Sequence, residues 1–169
     1  MNLRISPNFA LIEFTKGRVT PTVEQYGNIV TAAKWLERLR ERVGPIIVSS
    51  GIRSAERNAG VGGADRSYHL YWGPGIWAVD IVSPTLHPLR LADACVEVGG
   101  FDSVMSERAD RPWPAQKAND GMPWVHVQGS PTPRGLTFTA VPKDKTLWGN
   151  VDKETRPEQV YSPGLRFEL

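Results

Sequence analysis

The spacing of apolar residues changes along the chain, and each change predicts a different element. Between residues 22 and 43, apolar residues recur every three or four positions, as they do on the buried face of a helix. The residues that define this face are Ile29, Ala33, Leu36, Leu39 and Val43. A second helix is predicted over 87–98, because a proline stands in its first turn and two glycines follow its end.

Short apolar runs bounded by turn residues predict strands. Such runs cover 45–50, 77–83, 101–107, 123–129 and 136–141. The stretch 51–67 is rich in Gly, Asn and Arg and predicts a loop, as does the polar, proline-containing stretch between Glu107 and Pro123. After residue 130 the pattern weakens. We therefore expect residues 1–129 to form one domain, with residues 130–169 as an extension packed on it.

Composition and charge narrow the classes of function. A chain of 169 residues can bury one proper core but not two ordinary ones. Its net charge of +2 is compatible with an anionic partner such as a bacterial cell wall, whereas no basic run indicates binding to nucleic acid. The single cysteine, Cys95, excludes an intrachain disulfide and is expected to be buried in helix 87–98. No apolar run is long enough to span a membrane, and the first residues lack the pattern of a signal peptide, so we expect synthesis in the cytoplasm.

Asp80 is the most unusual residue of the predicted strands. Its neighbours in the run 78–82 are apolar and mostly β-branched, which predicts a buried strand. A carboxylate in such a place is unfavourable unless a cation or several hydrogen-bond donors meet it. His69 and His126 are candidate partners, although either histidine taken alone is more often a hydrogen-bonded residue than a ligand. The remaining histidine, His87, is expected to cap the helix that it precedes or to lie in solvent, and not to bind metal.

Several short motifs occur together in one order. They are "SGIRS" with Asn58 five residues after Arg53, then "VGG", "SYH", "AVDI" and "WVHV". With these motifs, residues 5–128 resemble the zinc D-Ala-D-Ala carboxypeptidase family (the M15 peptidases), most closely its phage and bacterial branch that acts on peptidoglycan. The resemblance implies an α+β domain of the Hedgehog/DD-peptidase-like fold, in which helices flank a small, mostly antiparallel sheet.

The resemblance also implies a metal site. In that family the histidine of S-x-H, the aspartate of A-x-D and the histidine of W-x-H bind one zinc ion, and here these residues are His69, Asp80 and His126. Two imidazoles and one carboxylate suit zinc and leave a fourth position for water. The family usually spaces its first two ligands seven residues apart, but here the spacing is eleven. We expect the four additional residues to bulge outwards and both ligands to keep their places.

Further roles follow from the same resemblance. Arg53 resembles the arginine that binds the substrate carbonyl or carboxylate and stabilises the charge developing there. Ser67 is expected to support a ligand or to contact substrate. Trp124 is expected to contact substrate. Tyr71, Trp72 and Trp77, around the four additional residues, are expected to line the cleft and stack on substrate, and filling space around the bulge is their alternative.

The general base has two candidates. Several relatives carry an acidic residue three positions before the last histidine, where this sequence has Pro123. In the branch that this chain resembles most, a glutamate ends the preceding strand, and Glu107 matches it. Asp120, in the loop that follows, is the alternative.

Taken together, these features predict a zinc-dependent peptidase that hydrolyses an amide bond in the peptide stem of peptidoglycan. We expect a monomer with one zinc ion, acting on the cell wall after release from the cytoplasm or as part of a phage particle, as a phage lysin does. The alternative is a non-catalytic, zinc-containing protein that binds the cell wall or builds a virion, which Pro123 favours. A third possibility is a metal-free relative in which the two histidines and the aspartate are hydrogen-bonded core groups.

Overall fold

The structure, a computed structural model, describes residues 3–108, 122–142 and 159–164. Six strands lie within these residues: β1 (Ile47–Ser50), β2 (Trp77–Val82), β3 (Ser103–Glu107), β4 (Trp124–Gly129), β5 (Leu136–Pro142) and β6 (Gln159–Pro163). They form one sheet in the order β1-β2-β4-β3-β5-β6. Neighbouring strands are antiparallel except for β3 and β5, which are parallel. The predicted α+β class with a mostly antiparallel sheet is confirmed.

Four α-helices and one 3-10 turn accompany the sheet in the described part of the chain. They are α1 (Leu11–Thr15), α2 (Val23–Val43), α3 (Ala55–Gly60), α4 (Pro88–Val98) and the turn Tyr68–Leu70. The predicted helices α2 and α4 are confirmed, and the His87 side chain caps α4 by accepting a hydrogen bond from the amide of Leu89 at 3.2 Å. The prediction of a continuous loop over 51–67 is wrong, because α3 lies within it. Helices of five or six residues are too short to show a 3.6-residue period, so α1 and α3 could not be predicted from the spacing of apolar residues.

The core lies between the sheet and the two long helices. Helices α2 and α4 pack against the central strands, where Val79, Val104 and Val127 are fully buried. Trp35 of α2 lies 5.9 Å from Trp77, measured between ring centroids, and its indole N–H donates to the carbonyl of Gly99. Cys95 is fully buried in this layer, as predicted.

The opposite face of the sheet carries a row of mostly polar side chains. In register, Ser50 of β1 pairs with Asp80 of β2, Asp80 with His126 of β4, and His126 with Met105 of β3. Residues directly opposite each other on antiparallel strands point to the same side of a sheet. Because the alternate positions of β4, Val125 and Val127, are buried on the helix side, the register places Asp80 and His126 together on the other side.

The division into residues 1–129 and an extension of 130–169 stays a prediction. Within the described residues of the second segment, β5 joins the sheet beside β3, and β6 pairs with β5. The strand β6 was not predicted from the sequence. No helix among the described residues is both long and apolar enough to cross a membrane.

Candidate metal centre

Three side chains converge at the middle of the polar face. His69 Nε2 lies 3.3 Å from Asp80 Oδ1, His126 Nδ1 lies 2.9 Å from the same oxygen, and the two nitrogens are 3.3 Å apart. Asp80 and His126 come from paired positions of β2 and β4, while His69 comes from the 3-10 turn. These residues are 11 and 46 positions apart in sequence and meet only because the chain folds.

A hydrogen bond at Nδ1, the nitrogen that faces away from the cluster, fixes the tautomer of the His69 ring. His69 Nδ1 lies 2.7 Å from the carbonyl oxygen of Gly51, which can only accept a hydrogen bond, so Nδ1 carries the proton. In the neutral ring, Nε2 then presents its lone pair to Asp80 and His126. Burial lowers the pKa of His69, and the opposing effect of the Asp80 charge is smaller, so the neutral ring is favoured.

His126 is oriented in a similar way through Gln128. The Gln128 side-chain amide donates to Asp102 Oδ2 at 3.0 Å, so its oxygen faces His126 Nε2 at 3.2 Å. His126 Nε2 therefore donates, and Nδ1 points to the centre of the cluster. Burial opposes a charge on His126, but the hydrogen bond and charge of Asp80 outweigh burial and raise the pKa of the ring. The same carboxylate would attract a metal cation.

Asp80 provides the negative charge. Burial alone would raise its pKa, but the neighbouring imidazoles of His69 and His126 outweigh burial and hold the pKa of Asp80 far below its usual range. Its second oxygen, Oδ2, accepts a hydrogen bond of 2.6 Å from Arg53 Nη2. The carboxylate of Asp80, although it lies in an apolar strand, thus contacts two imidazoles and a guanidinium.

The cluster fits a metal ion by its chemistry and spacing. His69, Asp80 and His126 each offer one ligand atom, and they form a possible metal site among the described residues. Ligands about 2.0–2.1 Å from a tetrahedral zinc ion stand roughly 3.3 Å from one another. The observed separations of 2.9–3.3 Å agree with that spacing. Both imidazoles also donate their outer N–H to an oxygen acceptor, which is typical of metal-bound histidines.

Arg53 and Ser67 lie beside these ligands. The Arg53 guanidinium bridges the Asp80 carboxylate and Ser50, whose hydroxyl accepts from Nε at 3.1 Å, and the Arg53 amide donates to the carbonyl of His69. Ser67 Oγ accepts a hydrogen bond from the amide of His69 at 3.3 Å and caps the 3-10 turn. Both predicted residues therefore contact a ligand residue.

Glu107 and Trp124 occupy the next row of the same face. They pair with each other across β3 and β4, two positions from Met105 and His126, and the charge of Glu107 contributes to the raised pKa of His126. Trp124 is half-buried, with the guanidinium of Arg108 5.0 Å from its ring centroid. Asp120 lies outside the described residues.

The aromatic residues of the bulge separate into two groups. Tyr71 is only 1% exposed, and its hydroxyl donates to the carbonyl of Ala78 at 3.0 Å. Trp77 is buried as well, whereas Trp72 is exposed. Tyr71 is therefore too buried to make the expected contact with substrate in the cleft. It fills space in the core, where its hydroxyl group has a hydrogen-bond partner.

Three residues that support the ligands were not predicted from the sequence. Gly51 provides the acceptor for His69, Gln128 the acceptor for His126, and Asp102 the anchor for Gln128. The alternation of Trp124, His126 and Gln128 on one face of β4 was visible in the sequence and could have indicated Gln128. The carbonyl of Gly51 and the carboxylate of Asp102 come from other elements, and no local pattern indicates them.

The comparisons with known proteins agree with this geometry. A family model described as Peptidase M15 matches residues 7–110, which is more than half of the chain. The chain belongs to the peptidase M15 family, and with its His-Asp-His site it is a metallopeptidase of DD-peptidase-like fold. A search of curated proteins found no match. His126 lies beyond the matched residues and joins the site through the pairing of β4 with β2.

Proposed function

We propose that this M15 metallopeptidase uses zinc to hydrolyse an amide bond in the peptide stem of bacterial peptidoglycan, as a D-Ala-D-Ala carboxypeptidase or an endopeptidase. The observation that carries the proposal is the buried cluster of His69, Asp80 and His126, with both histidine lone pairs directed at one point beside Arg53. When bound there, zinc supplies Lewis-acid chemistry, which polarises a carbonyl group and makes water more acidic.

The protein's own groups have distinct roles in this proposal. Arg53 is held by Asp80 and Ser50, and a guanidinium has five N–H donors, so donors remain for the oxygen of the scissile carbonyl. Those donors stabilise the negative charge that develops on this oxygen as water attacks. Glu107, two register positions beyond the Met105–His126 pair on the same face of the sheet, accepts the proton of the attacking water and returns it to the leaving amine. Asp120 is the alternative base.

The site of action is part of the same proposal. The protein acts as a monomer on the cell wall, after release from the cytoplasm or as part of a phage particle. The resemblance of "SGIRS", "SYH" and "WVHV" to the phage and bacterial branch of the family supports this role.

Metal content and cleavage test the proposal together. We expect about one zinc ion per chain by elemental analysis, lost in His126→Ala, and release of peptide products from purified peptidoglycan by the zinc-loaded protein. Glu107→Gln should keep the metal but lower kcat by about 10² or more, the usual contribution of a general base. Glu97→Gln is the matched control, because Glu97 is an exposed residue of α4 paired with Arg42.

Two outcomes would contradict parts of the proposal. If Glu107→Gln keeps the wild-type rate, Glu107 is not the base, and Asp120→Asn becomes the variant to examine. If the protein binds zinc and peptidoglycan but releases no peptide, the non-catalytic alternative holds. The observation that favours this alternative is Pro123, which stands where several relatives have an acidic residue.

A further inference from the structure

A basic pocket adjoins the metal centre and shares Arg53 with it. The pocket has a volume of about 200 Å³ and lies between the end of α1, the end of β1 and helix α3. Its charged lining residues are Lys16, Arg18, Arg53 and Arg57, and no carboxylate of the described residues lines it. Four cations around one small cavity indicate a site for an anion.

The walls of the pocket are held by close backbone packing. A Cβ atom added at Gly51 would lie 2.5 Å from the carbonyl oxygen of Phe14, so only glycine allows α1 to approach β1 this closely. At the end of α1, Lys16 adopts the left-handed conformation, with φ of 52°, and its ammonium donates to the carbonyl of Val48. An ammonium has three donors, so Lys16 is anchored and still has two for a ligand.

The positive charge of the pocket is poorly neutralised from within the protein. Among the described residues, no ion pair joins a carboxylate to Lys16, Arg18 or Arg57, and Arg53 alone pairs with Asp80. Glu13 acts on Lys16 at longer range, but its carboxylate accepts a hydrogen bond from the amide of Ala10 within the cap of α1. A bound anion would therefore remove repulsion between cations as well as gain hydrogen bonds.

We infer that this basic pocket binds a carboxylate of the peptide substrate, distinct from the carbonyl group that reacts at the metal centre. The inference rests on the proposed function. Because Arg53 contacts both sites, a carboxylate in the pocket lies close along the peptide to the bond that is cut. A peptide stem offers two such groups, the C-terminal carboxylate after D-Ala and the free carboxylate of D-Glu. The pocket thus selects the acidic form of the stem over its amidated form.

Binding to the metal-free protein of residues 1–169 tests this inference without requiring cleavage. Isothermal titration would compare a stem pentapeptide (L-Ala, γ-linked D-Glu, L-Lys, D-Ala, D-Ala) with two versions, amidated at the C-terminus or at D-Glu. We expect one amide to bind about 10-fold more weakly than the acid, the loss of one charge-assisted contact worth about 1.4 kcal/mol. Whichever amide binds more weakly identifies the carboxylate that the pocket holds.

Substitutions then show whether the pocket causes the preference. Arg18→Gln and Arg57→Gln should each reduce the acid-over-amide preference about 3-fold or more, and the double variant should abolish it. Arg42→Gln is the control, because Arg42 lies on α2 behind the sheet, and it should keep the preference. Thermal unfolding would verify that all the variants remain folded.

The outcomes separate this inference from the proposed function. Equal affinity for acid and amides, or a preference that persists in the double variant, would overturn the inference, even if the zinc-loaded protein cleaves the peptide. A preference that is lost in the double variant would support the pocket, even if no peptide is cleaved and the proposed hydrolysis fails.

Discussion

Replacement of Asp102 by asparagine removes the charge from a network that supports the metal centre. The Asp102 side chain is only 1% exposed and accepts hydrogen bonds from Gln128, from Ser130 and, through its backbone amide and two guanidinium N–H groups, from Arg134. The shortest joins Arg134 Nη2 to Asp102 Oδ2 at 2.6 Å. In asparagine, the new NH₂ group would face donors, so at least one hydrogen bond is lost as well as the charge.

The pKa of Asp102 gives the size of the effect. The hydrogen bond from Arg134 outweighs the opposing effect of burial and lowers the pKa from its ordinary value of 3.8 to about 2. A difference of this size corresponds to about 2 kcal/mol of stability at neutral pH. Because the Arg134 side chain is 56% exposed, water and salt screen the pair, and we expect about 1–2 kcal/mol. Since the carboxyl pKa is depressed in the folded state, this contribution is complete above about pH 5 and disappears as the pH falls towards 2.

Urea unfolding at several pH values measures this contribution. The free energy of unfolding of Asp102→Asn should lie about 1–2 kcal/mol below that of the wild type at pH 7, and the gap should shrink between pH 4 and pH 2.5. The control is Asp93→Asn, because Asp93 forms a more exposed ion pair of 3.6 Å with Arg90, and its loss should change stability by a few tenths of a kcal/mol. A gap that stays constant down to pH 2.5 would refute the reasoning, because the carboxylate would then not be its source.

Three further predictions concern residues around the core and the site. Gln128→Leu should weaken zinc binding about 10- to 100-fold in a competition titration, because the outer N–H of His126 loses its acceptor; unchanged affinity would contradict the proposed orientation. Gly51→Ala should lower the melting temperature, since its Cβ would lie 2.5 Å from the Phe14 carbonyl oxygen, and a melting temperature equal to that of the wild type would show that α1 can move away. Cys95 is fully buried, and burial raises the pKa of its thiol, so iodoacetamide should modify it in urea but not in the native protein, as mass spectrometry would show.

The long elements could be predicted from the sequence because each carries a complete pattern. Helix α2 has six turns of helical spacing, and Thr22 caps it by accepting a hydrogen bond from the amide of Gln25. Strand β2 is apolar throughout except for Asp80. Both the strand and its unusual carboxylate could therefore be recognised from the sequence. Short elements such as α3 carry less than two turns of pattern and depend on caps and packing instead.

The ligands of the site could also be predicted, whereas their supports could not. His69, Asp80 and His126 lie in short motifs that resemble those of a known family. The acceptor for His69 is a backbone carbonyl, that of Gly51, and any residue type carries such a group. The basic pocket could not be predicted from the sequence either. Lys16 and Arg57 are 41 positions apart and line the same pocket only when α1 packs on the end of β1.

The pairing of β2 with β4 links the stability of the core to the geometry of the metal centre. A shift of one residue in this register would turn His126 towards the helices and bring a valine to the polar face. That shift is opposed by the burial of Val125 and Val127, which are both fully buried against the helix layer. The same apolar contacts that stabilise the sheet therefore hold His126 Nδ1 at 2.9 Å from Asp80 Oδ1. The family match ends at residue 110, before β4 begins, so His126 lies outside the matched residues and this register brings it to the site.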